Sequence, residues 1–208
     1  LVYQYRTGMN ETESGVELVD AENVIGIAGA ALMAALTGVL AYLAVPYPYS
    51  PAPITLQILG VFLVGLFLGA KWGGVSMVLY LVAGAVGAPV FSLGAAGIGH
   101  LFGSSGGYLF SFPIAVVVIG YVIYGDSGMH SPADVGVARL IAGLVAGAAV
   151  VYTLGIVGLM IVLGLSLSEA VIGGAVVFFP GEAAKMVAAI AIAQSGHVVD
   201  WPPRSVAG

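Results

Sequence analysis

Glu182 and Lys185 stand three residues apart, just after Pro180-Gly181, in a stretch that is otherwise apolar. On a helix that spacing projects both side chains from one face, within reach of each other. Proline is best tolerated in the first helical turn, so Pro180 marks a helix start and puts the acid and the base in its opening turns. Ionisable groups in apolar surroundings are costly, usually face the interior of a bundle, and commonly mark a ligand or ion site. Two bland readings stay open beside that one: a structural ion pair, and a lysine whose stem carries its ammonium to a polar boundary. An ammonium near a helix N-terminus opposes the helix dipole. An anionic ligand there would offset both penalties.

Other side chains offer weaker chemistry. Gln57, in Pro53-Ile54-Thr55-Leu56-Gln57, is an amide able to donate and accept inside an apolar run. It suits a ligand contact or a helix-to-helix hydrogen bond equally. Tyr80 and Tyr108 can line a pocket or anchor a membrane boundary. His100, His130 and His197 are too scattered for a metal site. The chain carries no G-x-S-x-G, no H-E-x-x-H and no G-x-x-x-x-G-K-[ST] phosphate loop. It therefore reads as no enzyme, with no cofactor expected, and any pumping energy must come from another subunit or an ion gradient.

The elements that position these residues are helices in a membrane. Of 208 residues, 60% are hydrophobic and only 7% charged, with a mean hydropathy of +1.10; a soluble domain carries roughly a quarter charged residues. The 32 glycines favour close helix packing. Pairs such as Gly65/Gly69 and Gly143/Gly147 arise by chance in so glycine-rich a chain, and none identifies a dimer face. Five acidic residues from Glu11 to Glu22 precede the first apolar run, and Lys plus Arg total five. That balance leaves no footprint for nucleic acid. Cysteine is absent, which excludes disulfides and thiolate metal sites.

Apolar runs of membrane length predict an all-α bundle of about six transmembrane helices. The first covers about Val24 to Val45 and is expected to persist as a helix, since no signal-peptide pattern precedes it. It ends in a proline-rich loop, Pro46 to Pro53. Ile54 to Leu68, closed by Lys71-Trp72, and Gly73 to Ala88 give the second and third. A glycine-rich loop, Gly94 to Gly107, precedes a fourth helix, Tyr108 to Tyr124; the polar linker Gly125 to Gly136 leads to a fifth, Val137 to Leu163. Ser166 to Glu169 is a helix-start pattern opening a short segment to Phe179. Gly181 to Gln194 forms the last helix. The expected division is an acidic cytoplasmic tail (1–23), a membrane domain (24–194) and a cytoplasmic C-terminal tail (195–208). With both termini inside, Arg6, Lys71, Arg139 and Arg204 fall on inner segments. Lys185 is the odd cation.

Five ordered blocks resemble the BioY family, the substrate-binding (S) subunits of energy-coupling factor (ECF) transporters for biotin. They are Pro51-Ala52-Pro53-Ile54-Thr55-Leu56-Gln57; Gly65 to Gly69; Tyr80 through Gly84 with Gly87 and Pro89-Val90-Phe91; Gly103-Ser104-Ser105-Gly106-Gly107-Tyr108; and Phe179-Pro180-Gly181-Glu182-Ala183-Ala184-Lys185. The resemblance runs from about Val45 to Gln194. It implies a six-helix bundle in the cell membrane that binds biotin from outside, with a transmembrane coupling subunit and ABC-type ATPase subunits as partners. It implies ligand residues at Glu182 and Lys185 and a ligand-covering loop from Gly103 to Tyr108. With Gln57, Tyr80, Gly106, Gly107 and Tyr108, these make the candidate ligand site. The simplest assignment gives Lys185 the ligand carboxylate and Glu182 the ureido ring. The resemblance also implies a coupling surface of small residues on the first helix, here Ala30, Ala31, Ala34 and Ala35. The family usually has Asp where Glu182 stands and Pro where Ser104 stands; Ala95 and Ala96 occupy a loop position where it can carry a polar ligand contact. The rival readings are a structural or interaction bundle and a secondary transporter. The latter finds no pair of matching interrupted halves here.

Overall fold

A computed structural model describes residues 21–48, 50–125 and 131–195. Most of the expected acidic tail, nearly all of the C-terminal tail, and Arg6, His130, His197 and Arg204 lie outside them. Helix α1 is Ala21–Tyr42. Two-residue strands β1 (Ala44–Val45) and β2 (Ile54–Thr55) pair antiparallel and close the proline-rich loop at its base. Ile54 and Thr55 are thus strand, and the next helix starts at Gln57.

Helix α2, Gln57–Ala85, is two membrane crossings joined at Gly69, whose φ of 66° and ψ of −162° leave the helical region. In a straight helix the 23 residues between Gln57 and Tyr80 would separate them by about 34 Å. Instead the Gln57 amide donates to the Tyr80 hydroxyl. The arms 57–68 and 70–85 are therefore antiparallel neighbours, as two separate apolar runs predicted. Only glycine takes up the reversing conformation readily.

The chain continues through a 3-10 turn, Ser92–Gly94, and the one-turn α3, Ile98–Leu101, into α4, Gly106–Tyr124. Helix α5 is Val137–Leu163, stopped by Gly164 in the left-handed conformation. Ser166 then caps α6, Leu167–Gly174: its backbone N–H donates to Glu169 at 2.9 Å while its hydroxyl accepts from the Glu169 N–H at 3.4 Å. A 3-10 turn, Val176–Phe178, leads to α7, Phe179–Gln194, with Pro180 in its first turn. The two arms of α2 with α1, α4, α5 and α7 make a six-helix bundle; five stretches among the described residues, the last running from Leu167 to Gln194, have the length and hydropathy to span a membrane.

Lipid tails are as apolar as leucine, so these helices hold together by close van der Waals contact. A Cβ on Gly107 would fall 2.4 Å from the Leu154 carbonyl, and one on Gly120 would fall 2.2 Å from the Ala70 nitrogen. The second contact sets the C-terminal end of α4 against the Gly69 reversal. Lys71 is at that end, and so is Arg139, whose Nε donates to the Val122 carbonyl at 3.1 Å. From there to Tyr108, near the start of α4, is about 18 Å along the axis.

Candidate functional site

A cavity lies at the Tyr108 end of the bundle. Gln57, Tyr108, Glu182 and Lys185 all line it. Lys185 Nζ donates to Glu182 Oε1 at 2.5 Å, with 6% of Lys185 and 3% of Glu182 exposed. The i,i+3 spacing on α7 brings the charges together, so the free protein buries a neutral pair rather than a lone charge. An ammonium has three donors, of which this bond uses one, and the second carboxylate oxygen, Oε2, has no hydrogen-bond partner.

Tyr152 of α5 supplies the next wall. Its ring lies 6.3 Å from Tyr108, 6.1 Å from Phe178 and 6.3 Å from Phe179. Tyr108 is held by donating to the Gly174 carbonyl at 2.7 Å, and Gly155 leaves room for its ring. Another wall comes from the connection between α2 and α4, which carries Ser92 and His100. Tyr80 is buried behind the cavity: it accepts from Gln57 and donates to the Val90 carbonyl at 2.9 Å. It positions the amide rather than facing the space.

Gly106 and Gly107 are also off the cavity wall. Their missing Cβ atoms let α4 meet the Leu101 carbonyl and the α5 backbone, a packing role. On α1, Ala30 (0% exposed) and Ala34 (9%) face the chain's own core, while Ala31 and Ala35 are exposed. Ser76 of α2 donates to the Ala30 carbonyl at 2.9 Å. Only Ala31 and Ala35 of the four remain on an open surface.

Ser92, His100 and Tyr152 are cavity residues that sequence reasoning missed. Ser92 and His100 lie in an irregular connection and Tyr152 in an apolar helix, so no periodic signal marked them. Five buried side-chain polar atoms among the described residues lack a hydrogen-bond partner, and four belong to residues on this cavity: Ser92 Oγ, His100 Nε2, Tyr152 Oη and Glu182 Oε2. Buried polar groups are normally satisfied, so their convergence with apolar Ile58, Leu109, Phe112 and Phe178 is the arrangement of a small-molecule site. No described group of His, Asp and Glu is arranged to hold a metal ion.

Comparison with known proteins agrees with this architecture. The BioY family profile matches residues 10–199. A probable biotin transporter BioY from Pyrococcus horikoshii is 46% identical over 90 residues, 43% of this chain and 54% of that protein, so the match spans about half its length. The biotin transporter BioY of Rhizobium etli is 34% identical over 146 residues, 68% of this chain and 75% of that protein. The crystal structure of an S-component for biotin from an ECF-type ABC transporter superposes with a TM-score of 0.77 at 25% identity, covering 88% of this chain and 96% of that one.

Proposed function

Because this chain belongs to the BioY family of membrane proteins, we propose that it is the substrate-binding subunit of an ECF-type transporter and takes up biotin. The observation that carries the reading is a cavity whose neutral Glu182–Lys185 pair keeps one carboxylate oxygen unpartnered, with three further unpartnered buried polar atoms on Ser92, His100 and Tyr152. A ureido ring has two N–H donors and one carbonyl acceptor. Glu182 Oε2 accepts from the ring N–H, while the free donors of Lys185 and the Tyr152 hydroxyl serve its carbonyl. Gln57, held by Tyr80, adds amide chemistry at the wall. Leu109, Phe112 and Phe178 take the apolar body of the ligand.

The bonded pair favours placing both residues at one end of the ligand. Glu182 and Lys185 meet at 2.5 Å, so together they form one point of contact. Biotin separates its ureido ring from its carboxylate by a bicycle and an alkyl chain. Lys185 therefore joins Glu182 on the ureido end.

The chain lies in the cell membrane with its cavity toward the outside and both termini in the cytoplasm. Supporting this is the grouping of Lys71 and Arg139 at the end of the bundle away from the cavity, the cytoplasmic sign of short loops. A coupling subunit meets the exposed Ala31/Ala35 side of α1, and ABC-type ATPases supply the energy that this chain has no phosphate loop to obtain. Titration of the detergent-purified protein with biotin tests the reading: saturable binding supports it, and no binding up to millimolar ligand overturns it. A reporter fused after Gly208 should be accessible only from the cytoplasm.

A further inference from the structure

Resting on that ligand assignment, we propose that Ser92 and His100 form a second polar pole of the cavity, which receives the ligand's carboxylate and makes the site select anionic over neutral-tailed ligands. The first pole is already paired: Glu182 and Lys185 bond to each other, so it offers a carboxylate no uncompensated cation. Ser92 and His100 can each present a donor, and neither has a partner at Oγ or Nε2.

Local structure holds both groups in place. His100 stacks on Phe91, with ring centroids 5.3 Å apart and an 18° angle between planes. Phe91 is fully buried, sits edge-on to Tyr80, and fits against Gly84, where a Cβ would fall 2.1 Å from its ring. The stack fixes the imidazole plane of His100, which lines the cavity and whose buried Nε2 has no hydrogen-bond partner. Ser92 opens a turn closed by the Phe91 N–H bond to the Ala95 carbonyl at 3.0 Å and the Ala95 N–H bond to the Ser92 carbonyl at 3.2 Å. Within it Leu93 has a φ of 58°, the only positive value at a non-glycine residue among those described. A leucine in that conformation is strained, and such strain gathers at binding sites. The turn thus accepts a backbone cost in the act of holding Ser92 at the wall.

The test compares two ligands on two proteins: biotin and biotinamide, whose tail ends in a neutral amide, titrated by calorimetry into the parent and His100→Phe chains in detergent. Phenylalanine keeps the stack on Phe91 and removes Nε2. A hydrogen bond to a charged group is worth more than a neutral one, so biotin should weaken roughly ten- to a hundredfold and biotinamide only a few-fold. His100→Gln, which keeps a donor, should recover part of the preference for biotin. An unchanged ratio of the two affinities in His100→Phe overturns the second pole while leaving the functional reading intact, and so does an equal loss for both ligands. A parent chain that binds neither ligand overturns both.

Discussion

Replacing Lys185 with alanine probes whether its pair with Glu182 holds a ligand or only fastens a helix. In the folded chain its ammonium lies 2.5 Å from Glu182 Oε1, and the two side chains are 7% and 4% exposed. Losing the lysine removes one charge-assisted hydrogen bond to the ligand, worth about 1.5–3 kcal/mol, or roughly ten- to a hundred-and-fifty-fold in affinity. It also leaves Glu182 as an uncompensated buried carboxylate, at a cost of about 3–5 kcal/mol to the protein. Together the effects put the expected loss of biotin affinity at roughly a hundredfold or more.

Both readings of the pair predict lower stability for Lys185→Ala, so the decisive variant is the neutral double replacement Lys185→Met/Glu182→Gln. Removing both charges of a buried pair is often neutral or stabilising. The double variant should therefore unfold in detergent at a temperature near the parent's, yet still bind biotin at least about tenfold more weakly. Lys185→Arg should rescue only partly, because a planar guanidinium fills a different volume. The reasoning fails if the double variant binds biotin within threefold of the parent, for then the pair only ties α7 to itself.

Gly107→Ala should lower thermal stability markedly, because its Cβ would stand 2.4 Å from the Leu154 carbonyl and 2.9 Å from the Gly158 Cα, and backbone cannot yield as a side chain can; an unchanged melting temperature would contradict the packing. Ala31→Leu should spare biotin binding and reduce copurification with the coupling subunit, whereas Ala34→Leu should destabilise the chain itself, since Ala34 is 9% exposed and packs inward. Assembly and melting measurements on the two variants should therefore diverge. Burial holds the free His100 imidazole below its ordinary pKa, and a bound carboxylate favours its charged form. Binding then takes up a proton between the lowered free value and the higher bound value, so biotin affinity should rise as pH falls through that window and level off below it. Tyr108, Tyr152, Glu182 and Lys185 face the same cavity, so the measurement is the difference between parent and His100→Phe, which should lose the rise.

Much of this was legible in the sequence because its causes are local. Apolar length sets the crossings, Pro180 opens α7, and Ser166 with Glu169 spells a capping box that the structure contains. Helical spacing alone joins Glu182 to Lys185. The rest depends on tertiary placement. Gly69 is one glycine among 32, and nothing local says that it rather than Gly65 reverses the chain. Gly106 and Gly107 sit in a loop-like run, but the approach of α5 turns them into packing positions. The four small residues on α1 form overlapping ridges in sequence, and only the position of α2 decides that Ala30 and Ala34 are used inside the chain.

The arrangement also explains why the bundle needs a pair instead of a lone lysine. An unpaired ammonium at this depth would be costly to keep before any ligand arrived. Glu182 supplies the countercharge from within the same helix, at a spacing that requires no other element to move. It gives up only one oxygen in doing so, keeping Oε2 for an incoming N–H, just as Lys185 keeps two of its three donors. A neutral pair with both donor and acceptor capacity left over matches a neutral ureido ring better than it matches an anion. The anionic end of the ligand is then met elsewhere on the wall, and Ser92 and His100 are the unpartnered polar groups that the α2–α4 connection holds there.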